Sequence, residues 1–248
     1  MAITTKNRRE QTSPAYPEPA GAGPRSAPKP PLSRLAEAAI AELGQRVIEV
    51  GCGAGHLTRR LLDREHVVAL DPAREHVARV LGELGDRSNL DAFSMDIAGP
   101  RFRELSRFRP DSVLCLHSLE RIADDHRALF NMLSVLRAGG RIVLLAHACP
   151  ALFGPVDYAL GHYRRYTADG LRVTAEAVGL RVVRLDYVNP AGMASWWWKA
   201  KVRKSATHAT SGETTLDRWL HPVLQRLERW VKLPAGSTLF AVLERPAY

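Results

Sequence analysis

The chain of 248 residues has no run of eighteen or more apolar residues, which excludes a transmembrane helix. Cysteine is scarce. Cys52, Cys115 and Cys149 form no C-x-x-C pair and no cysteine/histidine cluster with zinc-ligand spacing, so the sequence shows neither a disulfide framework nor a metal site, and no metal is expected. The basic residues near Met1 are followed by no apolar stretch, so they do not read as a secretory leader, and a cytoplasmic location is the expectation. With 46% apolar residues, a wholly disordered chain is also excluded, and the length suits one large core with appendages.

What excess there is lies in charge. The formal balance is +9, yet it is confined to two segments. Residues 1–34 hold six basic and two acidic side chains, and residues 197–232 hold eight and three; the remainder is neutral. An enzyme of nucleic acids would more often carry its basic face on the body of the domain, so no nucleic-acid partner is expected. Seven of the sixteen prolines fall within residues 1–31, among Gly, Ser and Ala, and residues 1–32 read as a disordered proline-rich tail.

From Ser33, a candidate N-cap, strand and helix signals alternate. A helix over 34–43 stops at Gly44; a strand at 46–50, a helix at 55–62, a strand at 66–70 and a helix through Val77 and Leu81 follow. Strands are expected again at 90–94, 112–116, 141–146, 181–188 and 238–243, with helices at 124–136 and 168–178. Runs such as Val47-Ile48 and Ile142-Val143-Leu144-Leu145 are too uniformly apolar for a half-exposed sheet, and they predict an α/β, doubly wound, mostly parallel seven-stranded sheet covered on both faces. Residues 33–248 are read as one domain, with 190–236 a helical, tryptophan-rich insertion or lid before the last strand. There, Trp196 to Trp198 run into Lys199, Lys201, Arg203 and Lys204, and an amphipathic pattern follows from Leu216 to Val231.

The segment Glu49-Val-Gly51-Cys52-Gly53-Ala-Gly55 closes the first strand and opens the first helix, where open α/β sheets bind ligands. Its third glycine comes two residues after the second, and His56 stands where a dinucleotide fingerprint wants glycine, so the spacing disfavours NAD. This segment, with Asp71-Pro72 at the end of the second strand, Ser94-Met-Asp96-Ile97, the stretch 116–122 and the turn 136–142, resembles in order the motifs of class I S-adenosylmethionine-dependent methyltransferases, and the stretch 147–167 resembles that of a bacterial small-molecule subgroup of them, often of glycan or specialised-metabolite pathways. It implies that S-adenosylmethionine is bound, and S-adenosylhomocysteine released, by Glu49, Gly51, Cys52, Gly53, Gly55, Asp71, Pro72, Asp96, Ile97 and His117. Asp71 would take the ribose hydroxyls, Asp96 the adenine, and Glu49 the methionine end. Relatives often read Asn-Val-Leu-Glu-His-Ile where this chain has His117-Ser-Leu-Glu120-Arg121-Ile122; Arg121 cannot act as a base, which leaves His117 as a base or as a packing residue, and Glu120 as structural or cofactor-facing.

Beyond the fifth strand, His147, Tyr158, His162, Tyr163, Arg164, Arg165 and Tyr166, together with Trp197, are the candidate acceptor contacts. Two arginines between tyrosines suit a carboxylate or phosphate, although arginines also serve to cap helices, pair with acids or face water. His117 and His162 are the candidate bases or orienting residues. The expected activity is methyl transfer to a small-molecule acceptor, O-methylation of a carboxylate-bearing biosynthetic metabolite being preferred. N-methylation, a lipid- or glycan-linked acceptor met at a membrane surface, and a non-catalytic S-adenosylmethionine-binding scaffold are the alternatives.

Overall fold

The structure, a computed structural model, describes residues 34–189 and 236–247. Seven strands, β1 (Arg46–Val50), β2 (His66–Asp71), β3 (Leu90–Ser94), β4 (Ser112–Leu116), β5 (Arg141–His147), β6 (Arg181–Val188) and β7 (Thr238–Glu244), form one sheet in the order β3-β2-β1-β4-β5-β7-β6. β1 to β5 run parallel, and β7 is antiparallel to both of its neighbours. The order reverses between β1 and β4. That is where a crevice opens beyond the strand ends in this class of sheet.

Alternating side chains divide the core into two layers. On one face Ile48, Val68, Val113 and Ile142 pack with Phe102, Leu129 and Met132; on the other Val47, Val67, Leu114 and Val143 pack with Ala39, Leu61 and Val80. Helices α1 (Arg34–Ala41), α2 (Thr58–Leu61) and α3 (Arg74–Leu84) supply the second layer, and α4 (Asp125–Val135) and α6 (Ala168–Ala177) the first. The uniformly apolar strands are thus explained by burial from both sides.

The strands fall within a residue of expectation. The helix expected over 55–62 shrinks to the single turn α2, because Gly55 holds a left-handed φ of 76° and cannot belong to it. Sequence periodicity also gave no sign of the short α5 (Pro155–Ala159) or of the 3-10 segments Pro100–Phe108, Leu119–Arg121 and Pro150–Leu152. The proposed tail, the insertion at 190–235 and Trp197 lie outside the described residues. Among the described residues no helix is long and apolar enough to cross a membrane.

Candidate functional site

β1 ends in a loop whose backbone folds toward β2: the amides of Gly51 and Cys52 both donate to Leu70 O, at 2.8 and 2.9 Å. Gly51 has φ 80°, and a Cβ there would stand 2.3 Å from Ser118 Oγ. Only glycine fits this crossing. Asp71 then locks the loop, its Oδ2 accepting from Gly53 N and its Oδ1 from Ala73 N, both at 2.9 Å. Gly51, Asp71, Pro72, Asp96 and Ile97 wall one crevice together with Leu70, Met95, His76, Ser118 and Arg121.

This brings together five of the ten expected cofactor residues, from three separate segments. Asp96 is exposed at the rim, with Oδ1 accepting from Ala98 N at 2.9 Å, and Ile97 is buried beneath it. Glu49 sits lower than the sequence suggested. Its carboxylate is buried under the loop and accepts from Thr58 Oγ1 at 2.6 Å. Burial pushes its pKa up to about 7, opposed by the Thr58 hydrogen bond and reinforced by the nearby charge of Asp71. Burial likewise pushes the Cys52 thiol up, with help from Glu49 and Asp71, so Cys52 packs as an inert neutral group.

Sequence reasoning missed Asn131, which is fully buried on α4 and donates to Ile97 O at 2.7 Å and Gly99 O at 3.2 Å. It fixes the Asp96 turn from behind. It also missed Ser118, which donates to Val50 O at 3.2 Å and joins the ends of β1 and β4, and His76, whose Nδ1 is 3.0 Å from Asp71 Oδ1. Ser118 lay inside a motif singled out in the sequence, but its role depends on the approach of Gly51, which no spacing reveals.

The ends of β4 and β5 carry the second half of the site. His117, which takes a left-handed φ of 51°, approaches His147 with Nδ1 atoms 3.3 Å apart, and its Nδ1 is 3.4 Å from Glu120 Oε1. His147 Nδ1 also hydrogen-bonds Glu120 Oε1, and its backbone amide donates to the same oxygen at 3.2 Å. Glu120 is fully buried. Burial by itself would raise its pKa, but the hydrogen bonds and positive charge of His117 and His147 hold it well below the ordinary carboxylate range.

The remaining expected acceptor residues divide sharply. Tyr158 and Tyr163 are exposed. His162 and Arg165 are buried instead, both bound to Asp157 Oδ1, from His162 Nδ1 at 3.0 Å and Arg165 Nε at 2.9 Å. Tyr166 is also buried and donates to Asp125 Oδ2 at 2.9 Å, while Arg164 pairs with Asp125 Oδ1 at 2.7 Å. The expected two-arginine anion fork is therefore replaced by two internal ion pairs: carboxylates within the same fold satisfy the guanidinium groups more cheaply than an exposed face could. His162 packs against His147, with ring centroids 4.9 Å apart.

Residues 25–185 match the family model described as a methyltransferase domain. The chain belongs to the methyltransferase family. The glycine crossing and the acidic residue that closes β2 lie on the crevice of that domain, where the sequence resemblance would place S-adenosylmethionine. Over 119 residues it is 34% identical to ribosomal RNA small subunit methyltransferase A of Anaeromyxobacter sp. (strain K), a match covering 40% of this chain and 42% of that protein. The methyltransferase thus spans under half the length of that curated relative. In fold it is similar to a chain from the complex between the Haloferax volcanii Trm112 methyltransferase activator and a methyltransferase, at 20% identity and TM-score 0.59, covering 86% of this chain and 89% of that one. It is also similar to the N-methyltransferase NodS of Bradyrhizobium japonicum in complex with S-adenosylhomocysteine, at 14% identity and TM-score 0.53, covering 86% and 83%.

Proposed function

We propose that this methyltransferase modifies a hydroxyl oxygen of a small-molecule acceptor bound over His117 and His147. The observation that carries the reading is the His117–Glu120–His147 cluster at the ends of β4 and β5, next to the crevice residue Ser118. Glu120, ionised at neutral pH, holds the His147 imidazole through Nδ1 and leaves Nε2 to take a proton. Bound S-adenosylmethionine supplies an electrophilic methyl group on a sulfonium. The protein's share is to align the acceptor, exclude water and remove the proton. Tyr163, exposed and held beside this centre by its backbone amide donating to Glu120 O at 2.7 Å, supplies a hydroxyl group and a ring face to the acceptor.

A carboxylate acceptor, which the sequence favours because it displays adjacent arginines and no obvious base, loses both supports once Arg164 and Arg165 are paired and a base is assembled across two strands. A second reading, an RNA acceptor, is favoured by the name and identity of the Anaeromyxobacter relative. Incubation with methyl-labelled S-adenosylmethionine and a fractionated bacterial extract tests both. Alkali-stable label in small molecules is expected. Label released as methanol would restore the carboxylate, and label in RNA would overturn the small-molecule reading.

A further inference from the structure

We infer that His117, Glu120 and His147 form a binding site for a divalent transition-metal ion of the zinc, cobalt or manganese type. The three ligand atoms, two imidazole Nδ1 and one carboxylate oxygen, lie within 4.8 Å of one another. Ligands about 2.0–2.1 Å from a tetrahedral ion stand roughly 3.3–3.4 Å apart, as bond lengths of that size require. The Nδ1 atoms of His117 and His147 are 3.3 Å apart, and His117 Nδ1 is 3.4 Å from Glu120 Oε1.

A proton is a poor occupant for this centre. A single proton bridges His147 and Glu120, while His117 Nδ1 stands 3.3 Å from His147 Nδ1 and 3.4 Å from Glu120 Oε1, within reach of both. One cation in the middle satisfies all three. The independent observation is Glu120 Oε2: the residue is fully buried, yet this oxygen has no hydrogen-bond partner. A buried carboxylate oxygen left unpaired is costly, and coordination by both oxygens of Glu120 removes the cost.

Two imidazoles and one carboxylate select borderline ions over magnesium or calcium, and three protein ligands leave positions open for water or an acceptor. His117 and His147 are part-exposed, at 39% and 27%, so the ion can enter from the mouth of the site. His147 is steadied by the pairing of β5 with β7 and by Tyr166 N donating to His147 O at 2.9 Å. With His147 Nδ1 on the ion, Nε2 carries the ring proton and the ion takes the place of that base: it would acidify the proposed hydroxyl acceptor, whose proton goes to water; the oxygen lone pair forms the O–C bond as the C–S bond breaks, and sulfur keeps the electron pair. Binding of the ion is read separately from that role.

The full chain, freed of metal with a chelator, is titrated with Zn2+, Co2+ and Mn2+ by calorimetry, with Co2+ also followed by its visible absorption. One ion per chain is expected, with affinity reduced at least tenfold in His117→Ala and in His147→Ala at unchanged melting temperature. His117→Ala is the safer variant, since His117 is the more exposed of the two. No saturable binding at millimolar ion, or binding that both variants keep, overturns the site. Equal turnover with and without ion overturns the role given to the metal while leaving oxygen methylation standing; a bound ion with label on nitrogen supports the site and overturns the acceptor.

Discussion

Gly51 and Ser118 meet across the crevice with no room for a methyl group between them. A left-handed backbone costs a non-glycine residue about 1–2 kcal/mol, and a Cβ 2.3 Å from Ser118 Oγ forces further movement. Gly51→Ala is therefore expected to weaken S-adenosylmethionine at least about tenfold by calorimetry, the affinity equivalent of about 1.4 kcal/mol. Glu49 yields a pH prediction. Its folded pKa lies above its ordinary value, so its stabilising effect is complete below about pH 4.5 and is lost as pH rises through about 7. Gln at this position still accepts from Thr58 and never ionises. Without cofactor, Glu49→Gln should match the wild type near pH 5 and exceed it at pH 8 by as much as about 3 kcal/mol in urea unfolding; a variant that is less stable at pH 8 would show that the buried carboxylate does not cost what its burial implies. The glycines, Asp71 and Asp96 were legible in the sequence because each ends a recognisable strand. The Glu120 centre was not, since His147 comes 27 residues later and is a neighbour only through the pairing of β4 with β5.

Between β5 and α6, the segment containing α5 is held by a buried knot. Asp157 accepts from Gly154 N at 3.0 Å as well as from His162 and Arg165. Burial opposes its charge, but His162 and Arg165 hold its pKa below the ordinary carboxylate value. The knot's contribution is thus present above about pH 4 and fades on acidification below it. Asp157→Ala removes the carboxylate that balances the buried Arg165 charge, and a loss of about 3–5 kcal/mol is expected in denaturant unfolding. Arg165→Met with Asp157→Leu should recover part of it. On α4, Asn131→Ala should raise the KM for S-adenosylmethionine several-fold with little change in kcat, because Asn131 touches the Asp96 turn and not the acceptor end. A fall in kcat alone would remove that assignment. At this scale the sequence spoke clearly where an apolar run meets turn residues or a cap: β1, β3 and β4 have the expected ends, and Asp124 caps α4 by accepting from Arg127 N at 2.9 Å. It was silent about α5, because five residues contain too little helical pattern to set against loop chemistry, and it left open what Arg164 and Arg165 meet because the carboxylates beside them, Asp125 and Asp157, lie at distances no local motif reports.

Across the whole molecule, the sheet is completed from its C-terminal end. β7 is an interior strand, paired with β5 from Arg141↔Glu244 to His147↔Thr238 and with β6 on its other side. Every side chain from Thr238 to Leu243 is buried. A chain ending at residue 235 is therefore expected to show no cooperative thermal transition and no S-adenosylmethionine binding, and a sharp transition by circular dichroism would contradict the role given to β7. The alternation of strands and helices was enough to read the doubly wound class, but the placement of the last strand between the fifth and sixth follows from pairing that hydropathy does not encode.

That placement also sets an order in time. A ribosome delivers β5 about ninety residues before the strand that covers its outer edge, and β6 about fifty before the one strand that pairs with it among the described residues. Throughout that interval the growing chain displays two unpaired edges rich in valine and leucine, the kind of surface on which neighbouring polypeptides pair. Termination of synthesis before residue 238 would therefore yield sticky fragments, and the cell's chaperones would meet this protein chiefly before β7 emerges.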